Sequence, residues 1–187
     1  YAPVWVGGYS VASGISALYV RGGYAYIVSA NNQELITVDI TDPAHPVFAG
    51  GFDAPDSLGS GKSFYIVGST IYLGRTATAS HPELYLVDNA NPKAVPTAPI
   101  GTKEISSSVN GMLVRGDLLF LITTSGFLQT LSIASTSAIS VYAQPLVLPN
   151  NGAGVSVDCE GNIIAVAATP SAGSFANKSS LSIISAQ

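Results

Sequence analysis

The chain has 187 residues, 47% of them apolar and 10% charged, with 19 Gly, 11 Pro and a formal charge of −4 at pH 7. That length accommodates one domain with a sizeable core, and the mix excludes an intrinsically disordered chain, which needs low hydrophobicity and high net charge. The 7 basic residues are scattered singly, which excludes a nucleic-acid surface and electrostatic docking on anionic lipid, and no apolar run has the length of a membrane span.

The chain opens at Tyr1 with no Met and no signal-like segment, so a removed targeting segment or a longer parent protein is expected. Residues 3–9 read PVWVGGY, an extended run. Residues 18–30 (LYVRGGYAYIVSA) place two alternating apolar runs around a Gly-Gly turn, the pattern of a β-hairpin. A third strand follows at 34–40 (ELITVDI) and runs into Asp39-Ile-Thr-Asp-Pro43. There Asp39 can accept from the backbone beyond it, and proline stops the ladder. A fourth strand is read at 46–53 (PVFAGGFD).

The same unit then recurs. Hairpins are read at 64–76, 112–124 and 155–169, and third strands at 83–89, 128–134 and 181–186. Fourth strands are read over 95–105 and 139–148, and the last repeat has none. Asp88 repeats the turn role of Asp39, whereas Ser132 and Ser185 take its place in the other two copies. Units of strands recurring about every 45 residues are the mark of propeller blades. The expected fold is all-β: a four-bladed β-propeller of four-stranded antiparallel blades in a single domain, residues 1–187. The blades fall at about 15–53, 63–105, 111–149 and 154–186. Pro3–Tyr9 aligns without a gap on Pro46–Phe52, so residues 3–10 are expected to be an outer strand that closes the last blade. The rival arrangement makes the chain part of a larger ring with an upstream blade. Four closed blades leave no strand unaccounted for.

These residues carry a resemblance. A hairpin of the form xxVxGxYAYV, then ELxxVDI, then TDPxxPVxxGGF resembles the LVIVD repeat, most closely in GGYAYIVSANNQELITVDITDPAHPVFAGGFDAP. It spans essentially the whole chain and decays in the third and fourth copies, where the Asp-Pro turn is lost and the hairpin near Cys159 reads as two residues longer. The resemblance implies β-propellers of exported bacterial and archaeal proteins, some behind a type IV pilin-like helix or another surface anchor. It supplies no catalytic motif.

The residues offer little chemistry of their own. Cys159, the single cysteine, reads as an inert turn residue between Asp158 and Glu160, without a basic neighbour to activate it. His45 and His81 sit in different kinds of connection, so no zinc pair forms. Gly59-Ser-Gly-Lys62-Ser63 lacks both the spacing and the following helix of a phosphate loop. Asp53 and Asp56 are the best local carboxylate pair for calcium, with Asp42 as a third candidate, but they lack an EF-hand register. Arg21 and Arg115 occupy the same repeat position beside a turn glycine and are expected on one face, where they could grip a carboxylate or sulfate. Phe175, on a long polar loop, is a candidate partner anchor. No catalytic residue, metal site or cofactor is assigned. The expectation is a non-enzymatic extracellular or cell-surface domain whose partners are other protein subunits or cell-surface glycans, acting in adhesion, display or filament assembly. A soluble glycan- or small-molecule-binding module is the alternative.

Overall fold

The structure, a computed structural model, describes residues 2–30, 33–55, 59–94, 97–170 and 178–185. It is built of four antiparallel sheets. The first holds β1 (Ile15–Arg21), β2 (Tyr24–Ser29), β3 (Leu35–Asp39) and β4 (Val47–Phe52) in sequence order. The second holds β5 (Gly61–Val67), β6 (Thr70–Arg75), β7 (Leu84–Asp88) and β8 (Gly101–Lys103). The third holds β9 (Val109–Arg115), β10 (Leu118–Thr123), β11 (Phe127–Ser132) and β12 (Ser140–Val147). The fourth has three strands, β13 (Gly154–Glu160), β14 (Ile163–Ala168) and β15 (Ser180–Ser185).

Each sheet opens with a two-residue hairpin whose first turn residue is a glycine at φ 55–60°, namely Gly22, Gly68, Gly116 and Gly161. Only glycine takes that backbone without strain, so the turn residues fix the register of all four hairpins. The fourth hairpin is as short as the others, contrary to the longer turn read from the sequence. Its turn is Gly161-Asn162, and Cys159 lies inside β13 opposite Ile164, its side chain packed on the core between the last two sheets. One rung recurs at the far end of every hairpin: Ala30, Thr76, Thr124 and Thr169 donate N–H to the carbonyls of Gly14, Ser60, Ser108 and Ala153 at 2.9–3.0 Å.

The sheets pack face to face. Tyr26, Val28, Leu35 and Phe52 of the first meet Ile71, Leu73, Tyr85 and Val87 of the second. A second cluster joins Leu84 and Leu86 to Met112, Leu119, Leu121 and Leu131. A third joins Phe120, Ile122 and Leu128 to Ile164, Val166 and Ala168. Strands covered on both faces lose the alternation of a half-solvated strand. β2, β6 and β10 accordingly bury every residue after the first. β14 alternates instead, because only one of its faces is covered.

The junction from the fourth sheet to the first is open. Position one of the innermost strand is buried at Gly61, Val109 and Gly154, yet the matching Ile15 is exposed. Leu181 and Ile183 on the outer face of β15 are 71% and 63% exposed. The expected closing strand is not formed: residues 3–10 contain no strand, and the fourth sheet has three strands among the described residues. Physically, the segment is held by the first sheet. Gly7 lies so close to the Pro43 carbonyl that a Cβ there would overlap it, and Val11 packs on the cluster of Ala25, Ile27, Ile36 and Val38. The outermost strand of the second sheet is also shorter than the sequence indicated, three residues at Gly101–Lys103, since Pro99 just before it has no N–H to donate.

Candidate functional site

Three features stand out: the turn face, the buried charges between sheets, and the open junction. On the turn face, Arg21 and Arg115 perform the same act. Arg21 Nη1 donates to the Gly68 carbonyl at 3.1 Å, and Arg115 Nη1 donates to the Gly161 carbonyl. Each guanidinium thus clips its own hairpin to the hairpin of the next sheet. Val67 and Glu160 hold the matching positions in the other two sheets, and neither can donate to a carbonyl. Both arginine bonds are exposed, so Arg21→Ala and Arg115→Ala should each lower stability by about 1 kcal/mol or less, read from urea midpoints at constant slope. Sited in different junctions, the two losses should add.

Beside Arg21, a cavity of about 270 Å³ is bordered by Tyr24, Tyr26, Ser69, Asn89 and Pro92. Asn89 Nδ2 donates to the Tyr26 hydroxyl at 3.0 Å across the junction. Lys93 Nζ reaches Asp39 Oδ2 at 3.0 Å from the second sheet. Asp39 also accepts from the Thr41 hydroxyl at 2.6 Å and the Thr41 N–H at 3.0 Å. Those bonds, the Thr41 hydroxyl foremost, lower its carboxyl to about 2. Asp88 takes the Ala90 N–H at 2.8 Å in the same manner. Both aspartates are turn-forming residues, as the repeats indicated.

The buried charges were not singled out from the sequence. Arg75 ends β6 and Glu34 precedes β3; Nη2 and Oε1 are 2.6 Å apart with both side chains wholly buried. Glu34 Oε2 accepts the Ala54 N–H at 2.9 Å, and the Arg75 guanidinium lies 5.3 Å from the centre of the Tyr85 ring. Gly59 leaves room for it, since a Cβ there would overlap the guanidinium. The available signal was an arginine closing an otherwise apolar strand, together with a glutamate opening each of two third strands.

Asp53 is exposed, and Asp56 and Phe175 lie outside the described residues. Asp42 is engaged with His45 Nδ1 at 2.9 Å. Among the described residues no group of three or more His, Cys, Asp or Glu is placed to hold a metal ion.

At the open junction, a broad concavity of about 670 Å³ lies over the fourth sheet, bordered by Asp158, Glu160, Ile163 and Ala165. On the opposite side, a groove of about 300 Å³ runs between the third and fourth sheets where a fourth strand beside β15 is missing. Leu146, Tyr142, Ile164 and Ile184 line it.

The first sheet starts with a glycine-turn hairpin and ends in a strand closing on Gly50-Gly51-Phe52. The LVIVD-repeat model matches residues 14–54. That match spans the first sheet and the hairpin bearing Arg21. The later sheets repeat the same strand order in a more divergent sequence. No curated protein matches the chain. Among solved structures, it is similar to the computationally designed Ika4 protein at 10% identity and a TM-score of 0.66, covering 98% of this chain and 99% of that one. It is also similar to the β-propeller domain of Myceliophteria thermophila Cps50 (Swd1), at 12% identity and a TM-score of 0.68, covering 95% of this chain and 59% of that one. The N-terminal domain of Nup159 follows at 11% identity and a TM-score of 0.56, with 92% and 45% covered. The chain therefore spans less than two thirds of the latter two. Likeness at these identities concerns the fold alone, the stacked antiparallel sheets of a β-propeller.

Proposed function

We propose that this chain is a non-enzymatic protein-binding module that works outside the cell, in adhesion, surface display or the assembly of surface subunits. The observation that carries the reading is the apolar face and edge of the fourth sheet, where Leu181 and Ile183 stand in solvent beside Ile163. Neighbouring apolar side chains left in solvent on one sheet face are characteristic of protein-binding surfaces. The repeat at 14–54 and the propeller likeness support a binding role, and the sparse charge agrees with an exported protein. No helix among the described residues is long and apolar enough to cross a membrane.

The cavity beside Arg21 favours a second reading, an acidic saccharide held by the guanidinium and flanked by Tyr24 and Tyr26. One experiment separates the two. Beads coated with the domain are presented to intact host cells, to cells shaved with protease, and to cells treated with glycosidases. Loss of binding after protease alone supports the protein partner. Loss after glycosidase, together with weakening by Arg21→Ala, replaces it with the saccharide reading. Equal binding to all three overturns both.

A further inference from the structure

We infer that copies of this chain associate head to tail, residues 3–9 of one copy supplying the missing fourth strand of the next copy's fourth sheet. The inference rests on the protein-binding reading and names a second copy as one partner.

The first support is the edge itself. Outermost strands are normally protected by charge or proline. β12 carries Pro145, β8 ends in Lys103, and β4 lies between Pro46 and Asp53. β15 reads SLSIIS and has neither, so it is shaped to be paired.

The second support is the position of the donor. Gly101 of β8 belongs to the second sheet and lies against the Thr136 carbonyl in the third sheet's corresponding turn. Gly7 lies against Pro43 and Ala44 of the first sheet in the same way. The N-terminal segment is therefore already seated where the outermost strand of a preceding sheet belongs, while among the described residues β15 of its own chain has no strand on its outer edge. Each copy presents a donor at one end and an acceptor at the other.

Register supplies the third support. In the first sheet Leu35 faces Phe52, Thr37 faces Gly50 and Val38 faces Phe48. Carried to the fourth sheet through the pairing of β14 with β15, this sets Leu181 opposite Tyr9, Ile183 opposite Gly7 and Ile184 opposite Trp5. Trp5, now 82% exposed, would then face the third sheet and enter the groove lined by Tyr142, Leu146, Ile164 and Ile184. An indole suits an apolar groove of about 300 Å³. Because donor and acceptor are different surfaces, the contact is heterologous and extends into rings or filaments.

Trp5 is the only tryptophan, so the full-length chain reports on itself. Across a dilution series, sedimentation velocity should show mass rising with concentration while tryptophan emission moves from red to blue in step. Ile183→Lys places a charge on an exposed edge position, and Trp5→Lys removes the anchor. Each alone should stay a single copy at every concentration, and the two mixed should form dimers and nothing longer. Blue emission from single copies at every dilution would show that the chain closes on its own N-terminal strand, overturning the inference. Red emission from single copies throughout would overturn it too. A second readout is disulfide trapping in a Cys159→Ser background. Mixed Tyr9→Cys and Leu181→Cys copies should cross-link to each other, and failure to do so counts against the inference. Self-association failing leaves the cell-binding test above unaffected.

Discussion

Arg75→Met should lower stability by about 3–5 kcal/mol, the loss expected when a buried ion pair is broken from one side. Arg75 and Glu34 join the first two sheets with both side chains withdrawn from water, so methionine fills the space and leaves the Glu34 carboxylate buried without its counter-charge. For a chain of this length the loss corresponds to a melting point roughly 6–20 °C lower. Glu34→Gln should cost a comparable amount by stranding the guanidinium. Replacing both residues with apolar ones of similar volume should recover most of the loss, because the pair's attraction is offset by the cost of desolvating it. The double-mutant cycle in urea reads the coupling directly. The deficit of Arg75→Met should also narrow in acid. Burial pushes the Glu34 carboxyl up, against the pull of the Ala54 N–H and Arg75. Losing the guanidinium leaves burial less opposed, and protonation then removes the stranded charge. Equal losses in Arg75→Met and in the double variant would show that packing, not charge, holds this junction.

The sheet order was legible because it is local information repeated. Alternating Leu, Ile, Val and Tyr define each strand, and turn glycines such as Gly22 and Gly161 define each hairpin. The ion pair was not legible, because Glu34 and Arg75 meet only once two sheets stack, and nothing near either residue in sequence announces the other. Arg21 and Arg115 were recognisable as equivalent, but their acceptor is a backbone carbonyl of the neighbouring hairpin, which has no sequence signature. The likeness of Pro3–Tyr9 to Pro46–Phe52 indicated what kind of strand the segment resembles. It did not indicate whose sheet it joins, because pairing depends on how far four stacked sheets turn around the axis. Cys159 was misplaced for a simpler reason. A strand that carries Asp158 and Glu160 on its uncovered face reads as a turn when the burial of the other face is unknown.

Glu83 should answer in the opposite sense to Glu34. Both open a third strand and both cap the loop beyond the fourth, Glu83 Oε2 accepting from the N–H groups of Ile105 at 2.8 Å and Ser106 at 3.0 Å. The position that holds Arg75 in the second sheet is Thr123 in the third, so among the described residues no cation faces Glu83 there and its Oε1 is buried without a hydrogen bond. Glu104 Oε1 shares the Ser106 N–H at 3.2 Å, bringing a second carboxylate to the same amide. Burial first, and then Glu104, raise the Glu83 carboxyl above its ordinary 4.5. The folded state therefore holds this proton more readily than the unfolded one. Stability from Glu83 is complete below the unfolded value and is lost as pH rises through the raised folded value. Glu83→Gln keeps both N–H bonds, removes the charge and gives Glu104 a donor. At pH 7 it should stabilise the chain by about 1–3 kcal/mol, the scale set by an unsatisfied buried polar atom. In acid, where the wild-type carboxyl is itself neutral, the gain should shrink toward zero. A loss of stability at pH 7, equal at every pH, would mean that the carboxylate is matched to its surroundings after all. The two glutamates would then differ only in partner and not in sign.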